Sequence, residues 1–494
     1  MKGKVYLVGA GAGDFDLLTT KAERLIRSAD AILYDSNVEG AILDIAKNSA
    51  VLVDAGKISG VQGENKEAVD EKLLSLAKDH ESVVRLISGD PFVFSRGGEE
   101  ACSLFESGVP FEVVPGVTSV TAASTYAGIP VTHRKHAKSL HILSGHGEIG
   151  KTLNFDFDAL AQMGGTIVFM MSITKSEYIQ NGLICAGMDK NTPCAVVENG
   201  TRSNQRKFIV SLENLAVAVA ENAVKTPAII IVGEVVKFSA NLDWFSNKPL
   251  KNVSILSTQK AKSSSRLIPR LKENGADITF CPMVQTTSTL PQSFDISKYT
   301  IIAFSSMQCV ESFFECISKG GKDARALFGK KVACIGTQTA KTAKSRGIIA
   351  DFIPEVFSGK DMARGMIENG MLTKDDNLLL VRPKDGTKEI LDVLNENGIK
   401  YDDIPFYKTD YLSQTHIEDL SVFDYVAFTS KSGVESFANS QSHLDFSSSI
   451  AICIGDQTAE FAREYGFKVV AAKDGSMNGV VEEVIALEKA KQNK

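Results

Sequence analysis

The second half of this 494-residue chain repeats itself, and that duplication restricts the folds open to it more than any other feature. Phe304-Ser305-Ser306 leads into Val310-Glu311-Ser312-Phe313, and residues 332–340 then read VACIGTQTA. Phe428-Thr429-Ser430 leads into Val434-Glu435-Ser436-Phe437, and residues 450–459 read IAICIGDQTA. Each copy reads as an apolar strand, a helix with Val and Phe on one face, a second strand, and a Gly-x-x-Thr turn that opens another helix. Two such copies predict two similar α/β lobes. A cleft between facing lobes is a default ligand site.

The first half alternates differently. Short β-branched runs at residues 5–8, 31–34, 83–87, 111–114, 139–144, 166–171, 194–198 and 228–232 read as strands. Residues 16–28, 64–78, 98–107 and 119–127 read as helices between them. The pattern predicts an α/β fold in two subdomains that meet near residues 115–130. A chain this long needs more than one core. The single Trp, Trp244, sits in the run LDWFSNKP, and a domain boundary is placed just after it, giving domains 1–247 and 251–494.

Composition narrows the function. A net charge of −6 argues against a dedicated nucleic-acid binder. No apolar run approaches the length of a membrane span, and the N-terminus enters a strand without a signal-like region, so a cytoplasmic protein is expected. The eight cysteines form no CxxC pair, which predicts buried free thiols in a reducing compartment. His133 and His136 lack a carboxylate or thiol partner at ligand spacing, so no metal is expected.

Two segments carry chemistry. Residues 84–100 read VRLISGDPFVFSRGGEE. A Gly beside an Asp at the carboxyl end of a strand lets backbone approach a ligand and offers a carboxylate to ribose hydroxyls. The plain reading is a tight βα loop before a helix N-terminus that favours acids. Gly9-Ala10-Gly11-Ala12-Gly13, after a strand, suggests a phosphate-binding turn. A dinucleotide fingerprint would need Gly where Asp14 stands, and that carboxylate would repel an anion. Asp35 could still imitate a ribose-binding acid. A nicotinamide oxidoreductase is therefore the distant alternative.

Together with residues 5–19 (VYLVGAGAGDFDLLT), 113–134 (VVPGVTSVTAASTYAGIPVTHR) and 192–206 (TPCAVVENGTRSNQR), the 84–100 segment resembles the uroporphyrinogen-III C-methyltransferase family. The resemblance implies a two-lobed tetrapyrrole methylase fold, a homodimer through this half, and S-adenosyl-L-methionine as methyl donor. Gly9, Gly11, Ala12, Ser88, Gly89, Asp90, Val93, Thr118, Ser119, Met171 and Gly200 would line the donor site. Asp35 would be the base that takes the pyrrole N–H proton, and Lys57 a donor or substrate contact. Their plain readings are a helix-capping Asp and a solvated Lys. Arg96, His133 and Arg134 would bind acceptor carboxylates, and Lys138 reads as a solvated surface cation. The chain departs from the family at Ala12 and Phe15, where prolines are usual, and at Ser36-Asn37, Ser88 and Ser95. Ser88 adds a side chain where close backbone approach is wanted, and Ser36 removes a usual Arg.

The duplicated motifs of the second half resemble uroporphyrinogen-III synthase. The resemblance implies a two-lobed α/β domain whose chain crosses between lobes twice. Residues 283–407 would form the continuous lobe, and residues 251–281 would join 412–487. Ser305, Ser306, Gly336, Thr339, Thr429, Ser430, Gly455 and Thr458 would meet substrate carboxylates at facing turns, a role compatible with helix capping. Tyr407 would sit over the leaving hydroxyl, and Arg382 near the cleft. Thr258-Gln259 stands where Thr-Arg is usual. The expected function is a fusion that cyclises hydroxymethylbilane to uroporphyrinogen III and methylates it twice to precorrin-2. The alternative is a methyltransferase of a later corrin intermediate with a non-catalytic tetrapyrrole-binding half.

Overall fold

The computed structural model describes residues 3–47, 49–59, 66–146, 154–259, 267–289, 291, 295–384, 386, 388–411 and 417–492. Residues 64 and 65 of the expected second helix, and 412–416 of the expected returning segment, lie outside the described residues. The chain divides into two compact units, residues 1–281 with 417–494, and residues 282–416.

The first sheet contains β1 (Lys4–Gly9), β2 (Ala31–Tyr34), β3 (Val51–Asp54), β4 (Ser82–Ile87) and β5 (Phe111–Val114). Its order is β3-β2-β4-β1-β5, and every pairing is parallel. Side chains alternate across it. Val5, Leu7, Leu33 and Val83 pack under helices Lys66–Asp79 and Gly97–Glu106, while Val8, Ile32, Val84 and Leu86 pack under helix Thr20–Ser28. Burial on both faces is why these strands read as near-continuous apolar runs. Each fully buried Leu, Ile or Val contributes about 1.5–3 kcal/mol. Parallel strands put all five carboxyl ends on one edge, where ligands of open α/β sheets bind.

The second sheet is mixed. It contains β6 (Leu140–Ser144), β7 (Thr166–Met170), β8 (Pro193–Glu198), β9 (Arg206–Ser211) and β10 (Ala228–Val232), in the order β6-β7-β10-β8-β9. Only β6 and β7 are parallel. Trp244 packs on the end of helix Ser119–Tyr126: its Nε1 donates to the Thr125 carbonyl at 3.1 Å and its ring meets Tyr126 edge-on at 4.9 Å.

The third sheet is assembled from both ends of the second half. β11 (Ser254–Ser257) and β12 (Asp277–Phe280) join β18 (Tyr425–Phe428), β19 (Ile450–Cys453) and β20 (Lys468–Ala471) in the parallel order β12-β11-β18-β19-β20. The unit of residues 282–416 holds the fourth sheet: β13 (Val284–Ser288), β14 (Ile301–Phe304), β15 (Lys331–Cys334), β16 (Asn377–Pro383) and β17 (Lys400–Tyr411). Its order is β13-β17-β16-β14-β15, with β13 antiparallel to β17 and the rest parallel.

The expected strands of the first half appear within a residue or two, and two more appear that the pattern did not reveal. Both β3 and β9 are edge strands whose side chains are half-buried or exposed. The first helix begins at Thr20, because Thr19 caps it with Oγ1 accepting the Ala22 N–H at 3.1 Å.

Candidate functional site

Four glycines, Gly9, Gly11, Gly89 and Gly116, meet at the carboxyl edge of the first sheet. A Cβ on Gly9 would lie 2.5 Å from the Gly116 backbone and 2.6 Å from the Gly89 carbonyl oxygen. Gly11 and Gly89 exchange backbone hydrogen bonds of 3.2 and 2.8 Å, both with left-handed φ (+75° and +73°). Beyond Gly89 a Cβ would meet nothing within 4 Å. The result is a close-packed turn with one bare backbone face, shaped for approach by a ligand. Asp90 braces it. Its carboxylate accepts the Gly116 N–H at 3.0 Å and the Phe92 N–H at 2.8 Å, and Val93 follows in the same turn.

Asp35, at the end of β2, is held by the neighbouring strand. Its Oδ1 is 2.7 Å from Arg85 Nη2, and its Oδ2 accepts the Ser88 N–H at 3.0 Å. Arg85 is buried, and its Nε donates to both oxygens of Glu100 at 3.0 Å. Burial works against the Arg85 charge, but Asp35 and Glu100 more than restore it, so its pKa is raised. Burial pushes the Glu100 carboxyl up, with Arg85 opposing. Ser36 donates to Asp54 at 2.6 Å, and Lys57 stands exposed on the short helix Ala55–Ser59.

The second lobe closes on the glycine turn. Thr201 Oγ1 donates to the Ala12 carbonyl at 2.8 Å and accepts the Asp14 N–H at 3.0 Å. Asp14 also accepts from the Tyr126 hydroxyl at 2.7 Å, so the carboxylate that opposes a dinucleotide site serves as an internal strut. Thr118 caps helix Ser119–Tyr126 with its hydroxyl. Gly200 admits that helix, since a Cβ there would lie 2.3 Å from the Ala123 Cβ. Phe94, Met171, Asn199 and Thr201 all have positive φ, between +50° and +73°. Such strain in non-glycine residues gathers at functional sites.

The acceptor-side cations are spread out. Arg96 reaches 3.9 Å from Asp70 Oδ1, a buried atom without a hydrogen bond among the described residues. The His133 ring stacks on Phe238 at 4.7 Å, and Arg134 and Lys138 are exposed. A cavity of about 360 Å³ lies behind the glycine turn, lined by Asp14, Glu39, Asp44, Arg202, Lys272 and Asp277 among others. It shares only Gly13 and Asp14 with the turn, and its mixed charges satisfy one another in part: Arg202 Nε lies 2.7 Å from Glu39. The bare face at Gly89 has the chemistry that the cavity lacks.

In the unit of residues 282–416, Ser306 joins two tasks. Its Oγ accepts the Cys309 N–H at 3.1 Å, capping helix Met307–Lys319, and lies 3.3 Å from the Tyr407 hydroxyl. Ser305 Oγ donates to the Val381 carbonyl at 3.2 Å. Burial pushes the Tyr407 hydroxyl up to about 12, so it is a neutral donor at any physiological pH. Gly336, with extended backbone, opens helix Thr337–Ser345, in which Thr339 is buried. The Arg382 guanidinium is bound bidentately to Asp403 at 2.6 and 2.7 Å. Its remaining Nη1 donates to the Gly386 carbonyl at 2.9 Å, so its charge is neutralised inside the lobe.

The third sheet carries the sister copy. Ser430 caps helix Lys431–Ser440, accepting the Gly433 N–H at 3.1 Å, and Gly455 opens helix Asp456–Glu464 with Thr458 buried one turn in. Gln259 donates to Thr429 Oγ1 at 3.0 Å, while its buried Oε1 has no hydrogen-bond partner among the described residues.

Comparison with known proteins decides the family. Residues 4–216 match the model of the Tetrapyrrole (Corrin/Porphyrin) Methylases, and residues 265–482 match that of Uroporphyrinogen-III synthase HemD. A porphyrin biosynthesis protein HemD of Ruminiclostridium josui is 38% identical across 98% of both chains. The chain belongs to the tetrapyrrole methylases, joined to a uroporphyrinogen-III synthase domain.

A siroheme synthase of Stutzerimonas stutzeri is 44% identical to this chain over 49% of its length and 52% of the relative's. A uroporphyrin-III C-methyl transferase of Thermus thermophilus, solved with S-adenyl homocysteine, is 39% identical over 48% of this chain and 99% of that one, with a TM-score of 0.41. Among the described residues, no helix is long and apolar enough to cross a membrane. Sequence reasoning overlooked Arg85, Glu100, Thr201 and Tyr126. A charge inside the apolar run of β4 and a second Glu after Gly97-Gly98 were the available signals for the first two.

Proposed function

We propose that this chain performs two consecutive steps: ring closure of hydroxymethylbilane to uroporphyrinogen III, and two methylations of that ring to precorrin-2. The reading rests on one chain carrying both the bare backbone face at Gly89 beside Asp35 and the paired Tyr407 and Ser306 hydroxyls. The domains would be residues 1–247 and 251–494. A homodimer through the methylase half is proposed with them, to be checked by mass in solution.

Tetrapyrrole methylases use S-adenosylmethionine, which when bound supplies an electrophilic methyl group. The glycine turn fits such a donor, because Gly89 leaves room for close backbone approach and Asp90 holds the turn rigid. Thr201 fixes Ala12 beside it. Methyl transfer to an electron-rich pyrrole carbon needs placement above all. Asp35 is held in one orientation by Arg85 and Ser88, aimed to accept a hydrogen bond from a pyrrole N–H and to receive its proton. Arg96, His133 and Arg134 would meet acceptor carboxylates, and Lys57 has the freedom to reach one.

Ring closure expels hydroxide from the linear substrate. Tyr407, neutral and hydrogen-bonded to Ser306, is placed to donate to that leaving oxygen. Within the unit of residues 282–416, helix N-termini capped at Ser306 and Gly336 would offer N–H groups to substrate carboxylates.

The test gives purified protein hydroxymethylbilane, with and without S-adenosylmethionine, and separates products by isomer and mass. The type III isomer without donor, gaining two methyl groups with it, supports both steps. The spontaneous type I ring alone would overturn the synthase reading. Type III without methylation would overturn the methylase reading.

A further inference from the structure

The two copies of the internal repeat both place a capping Ser after the Gly-x-x-Thr unit, but differ in the residues just before it. Ser358 caps helix Gly359–Glu368 in the unit of residues 282–416, accepting the Asp361 N–H at 3.0 Å. Ser476 caps helix Met477–Gln492 in the sister copy, accepting the Gly479 N–H at 3.0 Å. The residue before each Ser lies over the glycine of the Gly-x-x-Thr turn. A Cβ on Gly336 would be 3.2 Å from the Phe357 ring, and a Cβ on Gly455 would be 3.9 Å from the Gly475 Cα. Val356-Phe357 therefore corresponds to Asp474-Gly475. The sister lobe caps the equivalent helix without a ring, through a different turn in which Gly475 is left-handed (φ +62°), so the cap itself does not require an aromatic residue there.

Nor is the ring buried. Phe357 is 59% exposed and Val356 63%, an unfavourable arrangement for adjacent apolar side chains in water. Met307, the first residue of the helix capped by Ser306, is 47% exposed. β14 and β15 are adjacent and in register, Phe304 opposite Cys334, so the turns at Ser306 and Gly336 are neighbours on one sheet edge. Phe357 thus lies over the helix N-terminus at Gly336 and Met307 opens the helix at Ser306, one strand away, where the Ser306 hydroxyl is 3.3 Å from that of Tyr407.

We infer that Val356 and Phe357 form an apolar ledge that takes the face of one pyrrole ring of the linear tetrapyrrole, fixing that end of the substrate beside Tyr407. The inference rests on the synthase reading. An aromatic ledge edged by helix N-termini suits a molecule with flat π faces and carboxylate rims. The sister copy, with Asp474-Gly475 at this point, has no such ring.

Steady-state synthase assays on the full chain test this, with Phe357→Gly, which installs the sister residue, Phe357→Leu, and Val356→Asp as a second route. The expected result is a KM for hydroxymethylbilane raised about tenfold in Phe357→Gly, with kcat changed less than threefold. Phe357→Leu should recover most of the loss, and type I ring should rise among the products of Val356→Asp. Thermal unfolding establishes that each variant is folded. Folded Phe357→Gly and Val356→Asp with wild-type KM and isomer ratio would overturn the ledge alone. Wild-type protein that gives only the type I ring would overturn the synthase reading and the ledge with it.

Discussion

Glu100 grips Arg85 with both carboxylate oxygens, each 3.0 Å from Nε, directly behind the loop that carries Ser88, Gly89 and Asp90. Arg85 in turn fixes Asp35. A buried ion pair therefore supports the candidate site from within the fold, and several expectations follow from it and from the other contacts.

Glu100→Gln should leave a buried guanidinium with only Asp35 as a charged partner. Removing one member of such a pair costs about 3–5 kcal/mol. Urea unfolding should show the midpoint lowered accordingly with an unchanged slope. A loss below about 1 kcal/mol would show that the pair is not the support described.

Gly9→Ala and Gly89→Ala should separate folding from donor binding. A Cβ at Gly9 collides with the Gly116 backbone, so stability should fall by about 1–3 kcal/mol. A Cβ at Gly89 collides with nothing and costs about 1–2 kcal/mol for its left-handed backbone. Calorimetric affinity for S-adenosylhomocysteine should nonetheless drop about tenfold or more in Gly89→Ala, because the methyl fills the approach. Undiminished affinity would place the donor elsewhere.

Tyr407 should titrate late. Its folded pKa of about 12 lies above the unfolded value of about 10. Its contribution to stability is therefore fully present below pH 10 and is lost as pH rises through 12. In an absorbance titration, Tyr407→Phe should remove a phenolate signal centred near pH 12 and leave the signal near pH 10 intact. Loss of the earlier signal would contradict the buried, Ser306-bonded placement.

Ser306→Ala should lose a helix cap, worth about 1 kcal/mol, and the hydrogen bond to Tyr407. Tyr407→Phe keeps the cap. If the two hydroxyls act as a pair, the double variant should make type III isomer no more slowly than the worse single variant. Additive rate losses would show independent roles.

Much of this architecture was legible because burial wrote it plainly. β1, β2 and β4 are covered on both faces and read as apolar runs. The repeat was legible because a capping hydroxyl and a Gly-x-x-Thr turn recur wherever a strand hands over to a helix. β3 was missed because, on a sheet edge, its Val51 and Leu52 are exposed and no period-two pattern marks them. Asp35 was legible as a candidate, but the Arg85–Glu100 support was not, since it joins residues whose meeting depends on how a helix crosses its strand. Arg382 shows the opposite limit: a cation in a promising motif turns out to hold Asp403, a partner 21 residues away.

The pairing of β11 with β18 has a consequence for how the protein is made. Ser254 bonds to Asp424, 170 residues later, so the third sheet lacks its middle until β18 at Tyr425–Phe428 has been made. The first and second sheets are complete by residue 232, and the fourth needs nothing beyond residue 411. During synthesis β11 and β12 must wait with one edge unpaired while the fourth sheet has already emerged, an interval in which an open edge invites mispairing. The chain's last strands act as the closing half of a bracket, so a truncation before residue 425 should strand the third sheet while sparing the other three.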